Sequence, residues 1–116
     1  MFTTSGSNPP TTTTRSLGTK LVLYPQIGSN IGDYSFGIES NYMWSQVPTL
    51  SHGYKWYQGS TLAMSILGNA TVTMQSTENV TGSTGGSLIV KGGILIEKDM
   101  KINGSLYVNG ENLSSI

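Results

Sequence analysis

The feature that most constrains this chain is a six-residue repeat near its C-terminus. Residues 88–111 divide into four units: Leu-Ile-Val-Lys-Gly-Gly, Ile-Leu-Ile-Glu-Lys-Asp, Met-Lys-Ile-Asn-Gly-Ser and Leu-Tyr-Val-Asn-Gly-Glu. The first position is always a large apolar residue (Leu88, Ile94, Met100, Leu106), and the third is always β-branched and apolar (Val90, Ile96, Ile102, Val108). The fifth is Gly92, Lys98, Gly104 or Gly110. Self-similarity at a fixed period marks a repeat architecture. Side chains alternate across a strand, so positions one, three and five share a side. Glycine lets the chain turn a corner where a Cβ would clash or φ must be positive. The pattern predicts a short extended face, a corner and then the next face, as in a β-prism or β-helix. The alternative is a β-meander whose turns fall every six residues.

The same repeat bears on oligomeric state. At three faces per turn, four units give little more than one turn and leave bare strand edges. Eight inward apolar side chains remove too little surface from water to offset the backbone entropy of ordering the segment. If three chains each supply one face, every strand gains neighbours on both sides. The expectation is an intertwined homotrimer with Leu88, Val90, Ile94, Ile96, Met100, Ile102, Leu106 and Val108 along its axis. A repeat running on past Ile116, or an open filament, would also complete the edges.

Upstream of the repeat the chain divides into three further segments. Residues 1–17 read as an extended N-terminal arm, because Asn8-Pro9-Pro10 followed by Thr11 to Thr14 forbids helix and offers nothing to bury. Such an arm is either a disordered tail or a peg that orders on a neighbour. Residues 18–74 read as a β-rich head or collar. Short β-prone runs recur at Lys20–Tyr24, Asp33–Glu39, Asn41–Val47, Gly53–Gln58 and Leu62–Leu67, with turn signals between them. Tyr34, Phe36 and Ile38 fall on one side of their strand, and no segment carries a three-turn helical period. Residues 75–87 are a polar linker of Gly, Ser and Thr, and residues 88–116 form a shaft or connector. The fold class is therefore all-β: a small antiparallel meander or sandwich followed by a hexad-built prism.

Composition excludes several kinds of partner. Formal net charge is zero and only 10% of residues are charged, against about a quarter in ordinary domains. Such a surface repels its own copies weakly. It offers no basic stripe for nucleic acid or an anionic membrane. No apolar run approaches the length of a membrane span. The chain has no cysteine, so disulfides and thiolate metal sites are excluded. Residues 1–15 lack the pattern of a secretory signal.

The passage from Gly86 through Leu88-Ile-Val-Lys-Gly-Gly-Ile-Leu-Ile96 to Leu106-Tyr-Val-Asn-Gly110 resembles the glycine–aliphatic modules of fibre and appendage proteins of tailed phages and large DNA viruses. Gly18-Thr-Lys-Leu-Val-Leu-Tyr-Pro25, Asp33-Tyr-Ser-Phe-Gly-Ile-Glu39 and Tyr54-Lys-Trp-Tyr57 extend the likeness over roughly residues 18–110. One departure is Glu97-Lys98-Asp99, where charges replace small residues. The resemblance implies a homotrimeric fibre part at the virion surface or outside the cell. Its partners would be its own copies, other virion proteins through the N-terminal arm, and host glycans. It supplies no catalytic residues.

Reactive chemistry is sparse. His52 is the only histidine, in a turn-like Leu-Ser-His-Gly, and no nucleophile elbow or P-loop surrounds a serine or glycine run. The carboxylate pairs Asp33/Glu39 and Glu97/Asp99 are the candidates for glycoside cleavage; Glu97 and Asp99 point outward from the hexad, where a solvated face or a cation contact suits them better, and catalysis is expected of neither pair. No catalytic, cofactor or metal site is expected. Aromatic residues are more numerous than one small core needs, and sugar rings stack on such faces. Trp44, Lys55 and Tyr57 are the candidates for glycan contact. Asn69, Asn79, Asn103 and Asn112 lie in Asn-x-Ser/Thr sequons, with Asn103 on the outward phase of the hexad. The expected function is structural, in a virion fibre or appendage. The alternatives are a carbohydrate-binding module on an oligomerising stalk and a self-polymerising β-filament.

Overall fold

The structure, a computed structural model, describes residues 5–81 and 84–113. It is all-β with antiparallel strand pairs, and the only helical element among the described residues is a 3-10 turn at Gly68–Ala70. The chain divides into two compact units, Met1–Thr73 and Met74–Ile116.

The first unit holds two three-stranded sheets. One is built from β1 (Thr19–Tyr24), β2 (Tyr34–Glu39) and β3 (Tyr42–Gln46), in that order. The other is built from β4 (Tyr54–Gln58), β5 (Thr61–Leu67) and β6 (Thr71–Met74). β1 stops at Pro25, which has no N–H to give the ladder. β2 and β3 are joined at Asn41, whose φ of 69° suits asparagine better than a β-branched residue. Gly59, at φ 58°, opens the two-residue turn between β4 and β5. The five strands expected from the sequence all form within a residue or two of their predicted ends. β6 is additional, and it follows a turn in which Asn69 and Ala70 both take positive φ.

The two sides of the first sheet are unlike. Register pairs Gly37 with Trp44 and Ser35 with Gln46, so these share one side with Thr19 and Val22. On that side Thr19, Ser35 and Gly37 are buried. The other side carries Leu21, Tyr34, Phe36, Ile38 and Met43, and there Phe36, Ile38 and Met43 are exposed. Tyr34, Phe36 and Ile38 do fall together as the alternation predicts. They occupy the open side of the sheet.

The N-terminal arm covers the small-residue side. Asn8 N–H donates to the Ile38 carbonyl at 3.1 Å, and the Asn8 carbonyl accepts from Trp44 Nε1 at 3.0 Å. Gln46 Nε2 donates to the Thr11 carbonyl at 2.9 Å, and Lys20 Nζ to the Gly6 carbonyl at 2.8 Å. Gly18 and Gly37 allow this close approach. A Cβ at Gly18 would strike the Asn8 and Ile38 carbonyls, and one at Gly37 would strike the Trp44 ring. The described part of the arm is tied to its own chain and is not a free tail. Proline and threonine cannot make a core, yet their backbone still hydrogen-bonds to a neighbouring sheet, and composition is silent about that.

In the second unit, β7 (Val80–Thr81) and β8 (Thr84–Gly85) form a short hairpin within the segment read as a linker. Residues 86–106 contain no regular strand. β9 (Tyr107–Val108) and β10 (Glu111–Asn112) close a second hairpin around Asn109 and Gly110, at φ 50° and 81°. Positive φ at both positions is the type I′ geometry that Asn-Gly favours.

Candidate functional site

The residues that stand out are apolar side chains with nothing over them. Among the described residues no hydrophobic side chain of the aliphatic or aromatic kind counts as buried. The buried residues are small or polar: Ser16, Thr19, Asp33, Ser35 and Ser65, with Pro48 and three glycines. This inverts the usual interior of a folded domain.

The hexad is visible in the backbone. Bends fall at residues 91–92, 97–98 and 103–104, and the turn at 109–110 continues the series. Each coincides with positions four and five of a unit, where the glycines lie. The charged unit bends at Glu97–Lys98 like the others, so lysine at the fifth position does not break the period. Between the bends, residues 88–90, 94–96 and 100–102 form no helix, turn or bend. Side-chain exposure repeats with the same period. The third-position residues Val90, Ile96, Ile102 and Val108 are 44, 46, 42 and 47% exposed. The first-position residues Leu88, Ile94 and Met100 are 62, 68 and 61% exposed, while Leu106 is half-buried. Four units of different sequence thus hold their third side chain in one environment.

The polypeptide between the two hairpins also leaves its hydrogen-bonding groups open. Among the described residues, none of 88–105 exchanges a backbone hydrogen bond with another. Extended backbone with free N–H and C=O groups on both edges is a template for pairing with another chain. The fourth unit is different. Its Asn-Gly corner reverses the chain, and Glu111 and Asn112 pair back onto Val108 and Tyr107.

The open side of the first sheet is the second apolar surface. Phe36 and Ile38 on β2 and Met43 on β3 are cross-strand neighbours, Ile38 lying directly opposite Met43. Met43 is 86% exposed. No charged side chain lies on this side of β2 or β3.

The residues proposed for glycan contact do not converge. Trp44 is half-buried on the arm side of the first sheet, with its ring over Gly37 and its N–H used by Asn8. Lys55 and Tyr57 are exposed on β4 of the other sheet. Tyr54 and Trp56 stack on the opposite side of that strand, centroids 6.3 Å apart. Of the sequon asparagines, Asn69, Asn79 and Asn103 are exposed, Asn103 at a hexad bend. Asn112 is also exposed, but its amide donates to Ser105 Oγ at 3.3 Å.

Asp33, a candidate carboxylate, is a structural anchor. It is 1% exposed. Arg15 grips it in a fork, Nε to Oδ2 at 2.8 Å and Nη2 to Oδ1 at 3.0 Å. The backbone N–H groups of Gln26 and Ile27 donate to Oδ1 at 2.9 and 3.1 Å. The Arg15 hydrogen bond, opposed by burial and supported by the two backbone donors, holds its carboxyl below the usual aspartate value. Asp33 precedes β2 and Glu39 ends it, about 20 Å apart along an extended chain. That is too far for the paired carboxylates of glycoside cleavage, which lie about 5–9.5 Å apart. His52 is half-buried. Its Nδ1 lies 2.6 Å from Thr49 Oγ1, and its ring stands edge-on to Tyr34. Among the described residues no cluster of His, Cys, Asp and Glu could hold a metal ion, and no helix is long and apolar enough to cross a membrane.

No protein-family model matches the chain, and neither a curated protein nor a solved structure matches it.

Proposed function

We propose that this chain is a structural subunit of a homotrimeric assembly, a virion fibre or surface appendage, and that it performs no reaction. The observation that carries the reading is the absence of any buried aliphatic or aromatic side chain among the described residues.

Three copies fit the repeat better than two. Each triplet between bends has two open edges, and closing both requires a neighbour on each side. Two copies side by side leave outer edges bare, and three around an axis form the smallest closed ring. The first and third hexad positions then line the axis, from Leu88 to Val108. Asn103 and the charged residues Glu97 and Asp99 face outward.

Native mass spectrometry of the full chain tests the reading. A dominant species of three copies is expected. A dominant single copy under native conditions overturns it.

A further inference from the structure

We infer that Asn103-Gly104, in preference to Asn109-Gly110, is a self-modification site, at which the chain converts its own asparagine to aspartate and isoaspartate with water as the co-reactant.

The sequence narrows the choice to two positions. The chain has eight asparagines, followed by Pro9, Ile31, Tyr42, Ala70, Val80, Gly104, Gly110 and Leu113. Conversion requires the backbone nitrogen of the next residue to reach the asparagine Cγ. Proline has no N–H to ionise. Any side chain on the next residue crowds the approach, and glycine has none. Only Asn103 and Asn109 precede glycine.

The backbone separates these two. Asn109 and Gly110 form the turn of the β9–β10 hairpin, at φ 50° and 81°. In a type I′ turn ψ at the first of these positions is about 30°. That angle carries the Gly110 nitrogen to the far side of the Cα–C bond from the Asn109 side chain. Ring closure there requires the turn to open, and with it the pairing of Val108 with Glu111. Asn103 is under no such restraint. It is exposed at a bend and is not among the positive-φ residues. Among the described residues, neither its side chain nor the Gly104 N–H makes a hydrogen bond. Nothing lies within 4 Å of where a Cβ on Gly104 would stand. The Cα–C bond of Asn103 is therefore free to rotate until the Gly104 nitrogen meets Cγ.

The reaction balances without a redox partner. Gly104 N–H gives its proton to hydroxide, the nitrogen attacks Asn103 Cγ, and the Cγ–Nδ2 bond breaks. Nδ2 takes a proton from water and leaves as ammonia. One water molecule then opens the cyclic imide. Opening at Cγ yields aspartate, and opening at the backbone carbonyl yields isoaspartate, with the main chain running through Cβ and Cγ. Either product is ionised at neutral pH, so a chain of zero formal charge becomes an anion. Either also removes the amide nitrogen of the Asn103-Gly104-Ser105 sequon, so conversion and N-glycosylation compete for one atom.

The full chain, incubated at mildly alkaline pH in buffer and in denaturant, provides the test. Cleavage after Tyr107 separates the two Asn-Gly sites, and mass spectrometry of the fragments follows each. Asn103 should convert in buffer as fast as in denaturant. Asn109 should convert about tenfold slower in buffer than in denaturant, the scale of giving up a hairpin hydrogen bond. Gly104→Ala, which the open space admits, should slow conversion at Asn103 and leave Asn109 unchanged. Folding that slows Asn103 as much as Asn109, or that slows neither, overturns the inference. So does an unchanged rate at Asn103 in Gly104→Ala.

Discussion

At the scale of single residues, Asp33 ties distant parts of the first unit together. It joins the end of the arm, through Arg15, to the loop entering β2, through the Gln26 and Ile27 amides. Replacing it with Asn keeps the shape but loses the charge that the guanidinium fork and both amides are set to meet. Asp33→Asn should destabilise the unit by about 1–3 kcal/mol, the usual loss for a hydrogen bond to a buried charged group. Thermal unfolding measures it, and an unchanged midpoint would show that the fork is ornamental. Acid should act on the same residue. The folded carboxyl binds its proton less readily than the unfolded one, whose value is about 3.9. Its contribution is therefore complete above that value and is lost as the pH falls through the lower folded value. In Asp33→Asn that acid-dependent part of the loss should disappear. None of this was legible in the sequence, where Asp33 read as half of a carboxylate pair. Its partner Arg15 lies 18 residues away in an arm that composition marks as tail. The same limit applies to Trp44. Alternation places it on a side of β3 but does not reveal that the arm lies over that side.

At the level of elements, periodicity was informative and orientation was not. The five head strands were readable from alternating β-prone runs between turn residues. The hexad was readable from its aliphatic and glycine positions, and the backbone bends at the same period. Alternation also grouped Tyr34, Phe36 and Ile38 correctly. It could not say which side of β2 would be open, because that depends on where the arm goes. The Asn-Gly hairpin at 109–110 was hidden by the repeat, although Asn-Gly is a strong local signal for a tight reversal. The repeat makes a sharp demand on substitutions. Ile96→Asp or Ile102→Asp puts a carboxylate where the third-position side chains gather. The assembly should weaken by about a hundredfold or more, since burying an unpaired charge is costly. Leu95→Asp, one position away and outward, should leave assembly within about threefold, which is the scale of an exposed change. Sedimentation of the three variants compares them, and equal effects at 95 and 96 would mean that the hexad has no inside.

For the molecule as a whole, the central claim is that its apolar side chains leave water only when copies meet. Among the described residues the single chain has sheets, turns and one ion pair, and what is buried is serine, threonine, glycine, proline and aspartate. Packing of apolar side chains is the dominant stabilising contribution in soluble proteins, and in the assembly proposed here it would come from contacts between chains. Folding and association should therefore be one transition, with a midpoint that rises with protein concentration. The low charge of the chain implies that salt affects this transition little. The most direct measurement is dilution of the full chain, with mass followed by light scattering and strand content by circular dichroism. Strand signal and the three-copy mass should be lost together, at a concentration that shifts with denaturant. A species of 12.4 kDa that keeps its strand signal after dilution to the order of micromolar would contradict the account.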